Sequence, residues 1–462
     1  MVAGLARLFR GTVIDSASRT ELRVLTDAVI GVSGDGKVSF VEGGHTEPLS
    51  TESSLQLRDP ESTALPLSDV EIVSLPPRGF LVPGLIDTHT HAPQIVNAGK
   101  GYDLQLLDWL EKYTFPCEER FSDAEYAKAV CTTAVRRTLQ NGTTTCVYFG
   151  TIHTEAALTL GRTAAAHGQR AFVGKVNMDR NSPGNYCEET AESIRETERF
   201  VKLMLDDADS AGRHPAVPAP VPVITPRFVP TCSSELMRSL AEIAALHQLP
   251  IQTHVSENRG EIDWVHSLHP DESSYTGVYD AHGLLTSRTL LAHGVYLTAP
   301  ERTLLAERGS TVSHCPTSNA MLRSGMLNVR RLLDYGVHVS LGTDVSGGAS
   351  PSMLVAIRDA LKISNMVSIA ASTDDKPSPP LTFAETFWMA TVGGAYSLGV
   401  AGLTGNFAAG SDFDALIIDP QVEAGPIDLF ETDDELDAFQ KWLQLGDDRN
   451  VAAVYVRGHK VL

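Results

Sequence analysis

No apolar run in this chain approaches the roughly 18 uninterrupted residues of a membrane-spanning helix. A membrane-embedded function is therefore not expected. Cysteine is scarce and scattered: the six, at 117, 131, 146, 187, 232 and 315, form no C-x-x-C pair. That spacing excludes a disulfide framework and a cysteine zinc knot, and it points to reduced thiols in the cytoplasm. Positive charge is in deficit, with 37 Lys and Arg against 57 Asp and Glu and a formal charge of −20. So acidic a surface disfavours a nucleic-acid backbone or an anionic membrane as partner and leaves a small neutral substrate open. The opening MVAGLARLFRGTVID has neither a long apolar core nor a small-residue cleavage signal, so no secretory peptide is expected. The closing HKVL is not a peroxisomal or retention signal.

What is present is a rhythm. The first segment reads as strands (LFRGTVID, TDAVIGVS, KVSFVEG) separated by turn residues such as Gly34-Asp35-Gly36. Residues 47–70, rich in Ser, Pro, Glu and Leu without period, read as an exposed loop. From Leu85 onward, short β-branched runs alternate with helical stretches. The strand candidates are 85–89, 143–149, 171–178, 222–228, 251–257, 289–295, 310–316 and 338–344. Between them FSDAEYAKAV opens with Ser122 and Glu125 as a capping box and its helix closes at Asn141-Gly142. Eight β-then-α units predict a (β/α)8 barrel rather than an open doubly wound sheet, because polar residues sit at many strand ends and not at one crossover. Residues 206–222 read as a Pro/Ala-rich surface connection, and 268–283 as an excursion bordering the barrel mouth. TFAE at 382–385 caps a last helix, FWMATVGGAYSLGV, after which DALIID and VAAVYVRGHKVL return to strand. We therefore expect residues 83–403 to form the barrel, with 1–82 and 404–462 building one small composite β-sandwich beside it.

The chemistry sits at the strand ends. His89 and His91 are two residues apart, so a strand points both to one face, where they can chelate one divalent ion. H-x-H alone says little. However, the fifth strand adds His254 and Glu257, the sixth His293 and the eighth Asp344. Barrel strand ends converge on one cup, and several imidazoles with a carboxylate there suit zinc or iron(II). His153-Thr154-Glu155 is an H-x-E that opens the signature of a different zinc deaminase fold. That fold also needs P-C-x-x-C downstream, whereas Pro116-Cys117 lies upstream with no second cysteine, so the reading is rejected. His314 reads as structural, and Trp109 reads as helix packing before a stacking platform.

PGLIDTHTHAPQ, LLDWLEKYTFPCEERF, ITPRFVPTCS, QTHVSENRGEI, LLAHG, SHCPTSN and LGTDVSGG together resemble the guanine deaminases of the amidohydrolase superfamily, in order and across most of 83–400. The resemblance implies His89, His91, His254 and Asp344 as ligands of one zinc ion, with iron(II) second. It implies His293 as a hydrogen-bonding group beside the reacting centre and Glu257 as the proton shuttle. Asp344 would orient water and accept its proton. Guanine would lose its 2-amino group as ammonia to give xanthine, and a homodimer is implied. For the substrate, Arg227 offers donors to the purine O6, Phe228 a ring face, and Gln94 both a donor and an acceptor. His91 and His254 are expected to contact substrate as well. The rival readings are another heterocycle aminohydrolase on the same fold and a non-catalytic scaffold. A two-metal site with a carbamylated lysine would need a lysine on strand four, and PVITPRF has none.

Overall fold

The computed structural model describes residues 4–47, 49–50, 54–57, 65–211, 218–371 and 378–462. Among these residues, eight strands form a parallel sheet in sequence order: Leu85–His91, Thr143–Phe149, Arg170–Asn177, Val221–Pro226, Ile251–Val255, Thr289–His293, Thr311–His314 and Val339–Leu341. The first three are buried along their whole length, as expected of parallel strands covered on both faces, and their β-branched, aromatic-rich sequences suit that setting. The last strand returns to the first. Asp344 N donates to His89 O at 2.7 Å and Thr88 Oγ1 donates to Leu341 O at 2.8 Å, curling the sheet into a barrel. These are the eight runs expected from the sequence, with ends shifted by a few residues.

Helices coat the barrel. Ala124–Gln140 buries Ala127, Val130, Cys131, Ala134 and Val135, a three- and four-residue spacing that makes one apolar stripe. Its N-cap is Asp123, whose side chain accepts from Glu125 N and Tyr126 N, and not Ser122 as the sequence suggested. Ser122 is taken up in the preceding turn Arg120–Ser122, whereas Asp123 has the extended backbone a cap requires. The capping box at Thr382 and Glu385 forms as expected. The helix it starts is broken, however, into Phe383–Met389 and Val392–Ser397. Ala390 O turns out to accept from Ile86 N at 2.8 Å, so the barrel's first strand takes a carbonyl that a continuous helix would need.

Strands from both termini share one mixed sheet. Its order runs from His459–Lys460 through Val451–Val456, Ala415–Ile418, Phe80–Pro83, Leu5–Ser16 and Leu22–Ser33 to Val38–Glu42, with Glu71–Ser74 also paired to Leu5–Ser16. A short ribbon, Ser54–Leu55 with Leu65–Pro66, packs against it. Leu55, Leu57 and Leu67 are buried there against Leu8, Val29 and Phe40, so the described part of 47–70 is not the exposed loop the sequence suggested. Its leucines, hidden among Ser and Pro, carry the packing. Residues 48, 51–53 and 58–64 of that stretch lie outside the described residues, as do 212–217 of the 206–222 connection, whose first part extends the helix Thr190–Ala211. Gly84 makes the corner from the terminal sheet into the barrel. A Cβ there would lie 2.0 Å from Thr144 Oγ1, so only glycine lets the two strands run on so closely. Among the described residues, no helix is long and apolar enough to cross a membrane.

Candidate metal centre and substrate cavity

Five side chains meet at the C-terminal ends of the barrel strands. One ligand atom from each of His89, His254, His293 and Asp344 lies within 4.8 Å of all the others. His91 adjoins them, its Nε2 3.3 Å from both Asp344 Oδ1 and His254 Nε2. His89 Nε2 stands 3.2 Å from the same Asp344 oxygen. The other Asp344 oxygen faces His293 Nε2 at 3.8 Å, and His293 Nε2 is 3.4 Å from Glu257 Oε2. The mutual cluster of four thus takes in His293, which the family resemblance sets beside the metal, and leaves out His91, which it makes a ligand.

The donor set suits a cation. Burial holds His89 and His254 below the usual imidazole range and brings His91 to about 4, so these rings are neutral near pH 7. His254 Nδ1 lies 2.7 Å from Arg227 O and must carry the proton it donates there, which leaves a lone pair on Nε2. That lone pair faces His91 Nε2. His89 Nε2 is buried without a hydrogen-bond partner. Asp344 is buried, which opposes ionisation, but the close His89 and His91 rings outweigh this and hold it well below the usual carboxylate range. Neutral imidazole lone pairs converging on an ionised carboxylate are what zinc-like ions bind. Among the described residues no cysteine joins such a cluster.

Local backbone builds this cup in ways the sequence did not announce. His293 and Asp344 adopt φ of 75° and 47°, and Ser256 between His254 and Glu257 has 48°. Left-handed backbone is uncommon outside glycine, and here it turns the side chains at three strand ends into the cup. Gly342 leaves room for His89: a Cβ there would lie 2.8 Å from His89 Cβ and 2.7 Å from Ser313 Oγ. Asp87, fully buried, accepts from Thr343 N at 3.0 Å and His89 N at 3.1 Å, tying the first strand to the last beneath the ligands. Burial pushes its carboxyl up to about 7.

Glu257 is buried, and burial, reinforced by the Asp344 charge, pushes its carboxyl up to about 8. Ser324 Oγ donates to its Oε1 at 2.9 Å, while Oε2 remains directed at His293. The helix that follows is started by Glu261, which accepts from the backbone N–H of Glu257 and Asn258 and closes a capping box with Asn258. The 268–283 excursion supports the site from behind. Tyr275 OH donates to Glu261 Oε1 at 2.6 Å, and Tyr279 OH donates to His254 O at 2.7 Å. His293 Nδ1 pairs with Asn319 Oδ1 at 2.8 Å.

A cavity of about 430 Å³ opens onto this cluster. His91, His254, Glu257, His293 and Asp344 line it together with Gln94, Arg227 and Phe228, so all the substrate candidates reach it. Trp109, read as packing, is indeed buried, yet it also walls the cavity beside Leu106 and Leu110. His153 does not reach it. It precedes the helix Thr154–Ala166, half-buried, with its ring 5.9 Å from that of Tyr186. His314 is fully buried in the seventh strand, where burial brings it to about 3.

Sequence reasoning missed Glu118. This side chain is fully buried, and its carboxylate accepts from Arg227 Nη1 at 2.7 Å, Arg227 Nη2 at 3.3 Å, Gln94 Nε2 at 2.8 Å and Tyr186 OH at 2.7 Å. Burial alone would raise its pKa; the Arg227 guanidinium outweighs that and keeps it below the usual carboxylate range. Arg227 is therefore both a pocket residue and one half of a buried ion pair.

The model of the amidohydrolase family matches residues 80–461. The chain is 47% identical over 463 residues to guanine deaminase of Rattus norvegicus, covering 99% of this chain and 97% of that one. It is 43% identical over 457 residues to guanine deaminase of Dictyostelium discoideum, covering 99% and 98%. The crystal structure of guanine deaminase from C. acetobutylicum with bound guanine in the active site superposes with a TM-score of 0.85 at 33% identity, covering 99% of this chain and all of that one.

Proposed function

This chain belongs to the amidohydrolase family, and from that premise we propose that it hydrolyses guanine to xanthine and ammonia. One observation carries the reading. A single cavity holds a metal-capable cluster, a raised carboxyl and a fixed set of polar groups suited to a purine edge. The full-length relatives named guanine deaminase support the same substrate.

We take His89, His91, His254 and Asp344 as the ligands of one zinc ion. Around a tetrahedral ion with bonds of about 2.0–2.1 Å, ligand atoms stand roughly 3.3–3.4 Å apart. The contacts of His89 and His91 with Asp344 Oδ1, and of His91 with His254, are 3.2, 3.3 and 3.3 Å. His293 meets Asp344 through the other oxygen and at 3.8 Å, which suits a group beside the reacting water. An ion held there supplies Lewis acidity and lowers the pKa of water toward about 7.

The chain's own groups do the rest. Asp344 and His293 orient the attacking water at the purine C2. Glu257 Oε2 takes the first proton from it and passes it to ring N3, then takes the proton left on the new C2 hydroxyl and delivers it to the departing amine as C2–N2 breaks. Arg227 and Gln94 hold the far edge of the ring, and Phe228, walled by Trp264 at 6.3 Å between centroids, packs on it. We assign residues 1–82 with 404–462, and 83–403, as the two structural units. We place the protein in the cytoplasm, consistent with six unpaired thiols. A homodimer is the expected assembly.

Purified protein should convert guanine to xanthine with about one zinc per chain. Absence of xanthine while a pterin or triazine turned over would overturn the substrate. His91→Ala should lose zinc by elemental analysis, whereas His293→Ala should retain it and lose turnover by about 10²-fold or more. The reverse pattern would exchange their roles.

A further inference from the structure

Glu118 stands behind the cavity wall, where its carboxylate accepts from two residues that line it, Gln94 and Arg227, and the reaction does not use it. We infer that it is a positioning residue: it dictates which way round Gln94 presents its amide, and thereby the donor–acceptor polarity with which the cavity meets a heterocycle edge. The inference rests on the deamination reading above.

An ionised carboxylate only accepts hydrogen bonds. Gln94 Nε2 stands 2.8 Å from Glu118 Oε1, so the end of Gln94 turned to Glu118 must be its NH2. At the opposite end, the backbone N–H of Ser346 only donates, and it lies 3.3 Å from Gln94 Oε1, with Ser346 Oγ at 3.4 Å. Turning the amide over would set its oxygen against a carboxylate and its NH2 against an N–H. The orientation of a side-chain amide is often a free choice; here both neighbours forbid the alternative. Gln94 is 2% exposed and Glu118 is fully buried, so water cannot relieve the mismatch.

The polar wall is therefore ordered. Beside Glu118 lie donors, the Arg227 guanidinium and the remaining N–H of Gln94. Beside Ser346 lies an acceptor, Gln94 Oε1. A lactam edge, a C=O next to a ring N–H, answers this order. An amidine edge, an exocyclic NH2 next to a bare ring nitrogen, reverses it at both places. Glu118, without touching the substrate, selects the 6-oxo over the 6-amino purine.

2,6-Diaminopurine tests this, because it keeps the 2-amino group and C2 of guanine and reverses only the edge at positions 1 and 6. Wild-type kcat/KM should favour guanine by about 10²-fold or more, the scale set by unpaired buried polar groups. In Glu118→Gln, whose own amide can turn, Gln94 is released and that ratio should narrow by roughly tenfold or more. A purely structural role would lower both substrates alike and leave the ratio untouched, which overturns the inference, as does a wild-type ratio near unity. If Glu118→Gln does not fold, Glu118→Asp, which draws the carboxyl back from Gln94, takes its place: the ratio should narrow, and an unchanged ratio is again fatal. A wild type inactive on guanine sinks the deamination reading itself; an active one with an invariant ratio sinks only the role of Glu118.

Discussion

Glu257→Gln is expected to cut guanine turnover by about 10²–10⁴-fold while the protein keeps its metal, its fold and much of its affinity for the ring. The amide matches the carboxyl in shape and can still accept from Ser324 Oγ. It cannot cycle a proton. In the wild type, burial and the Asp344 charge lift the Glu257 carboxyl to about 8, so it exchanges a proton readily near neutral pH. Its Oε2 faces His293 at 3.4 Å and lines the same cavity, a position from which it reaches both the water and the ring. Turnover and zinc content must be measured on the same preparation. Loss of zinc along with turnover would mean that Glu257 supports the metal cup, and near-wild-type turnover would remove it from proton transfer altogether.

The parts of this site that were legible in the sequence are those set by local periodicity. His89 and His91 lie two apart on a strand, and two-residue parity puts them on one face. His254 and His293 lie at the ends of short strands and Asp344 just past another, and the barrel rule converts strand ends into one cup. Glu118 obeys neither rule. It lies on a short helix, Phe115–Glu119, and its partner Arg227 is 109 residues away, so nothing local distinguishes it from Glu119 beside it. The one available signal was the run FPCEERF, where two acids stand between apolar residues. The left-handed backbone at His293 and Asp344 was equally hidden, because His and Asp, though enriched at φ > 0, adopt it at only a minority of positions. The misplaced cap at Ser122 came from a pattern that fits two adjacent residues, and the turn before the helix decided between them. The ribbon in 47–70 was missed because its leucines are spaced among turn formers, and only the facing sheet gives them something to cover.

Arg227→Met should destabilise the protein by about 3–5 kcal/mol and lower guanine turnover by roughly 10–100-fold, and the two losses should separate. The stability loss arises on the Glu118 side. Arg227 is 3% exposed and Glu118 is fully buried, so removing the guanidinium strands an ionised carboxylate that only Gln94 and Tyr186 still serve. Breaking a buried pair costs far more than the pair contributes, because the survivor keeps its desolvation penalty. The double variant Arg227→Met/Glu118→Gln removes that stranded charge and should regain most of the stability. It should not regain turnover, since no donor then remains where Arg227 met the ring. Denaturation midpoints of both variants, read beside kcat/KM on guanine, decide the matter. A single variant within about 1 kcal/mol of wild type would show that Glu118 is relieved by protonation or water rather than by Arg227. A double variant that recovered turnover along with stability would show that Arg227 serves the fold and not the substrate.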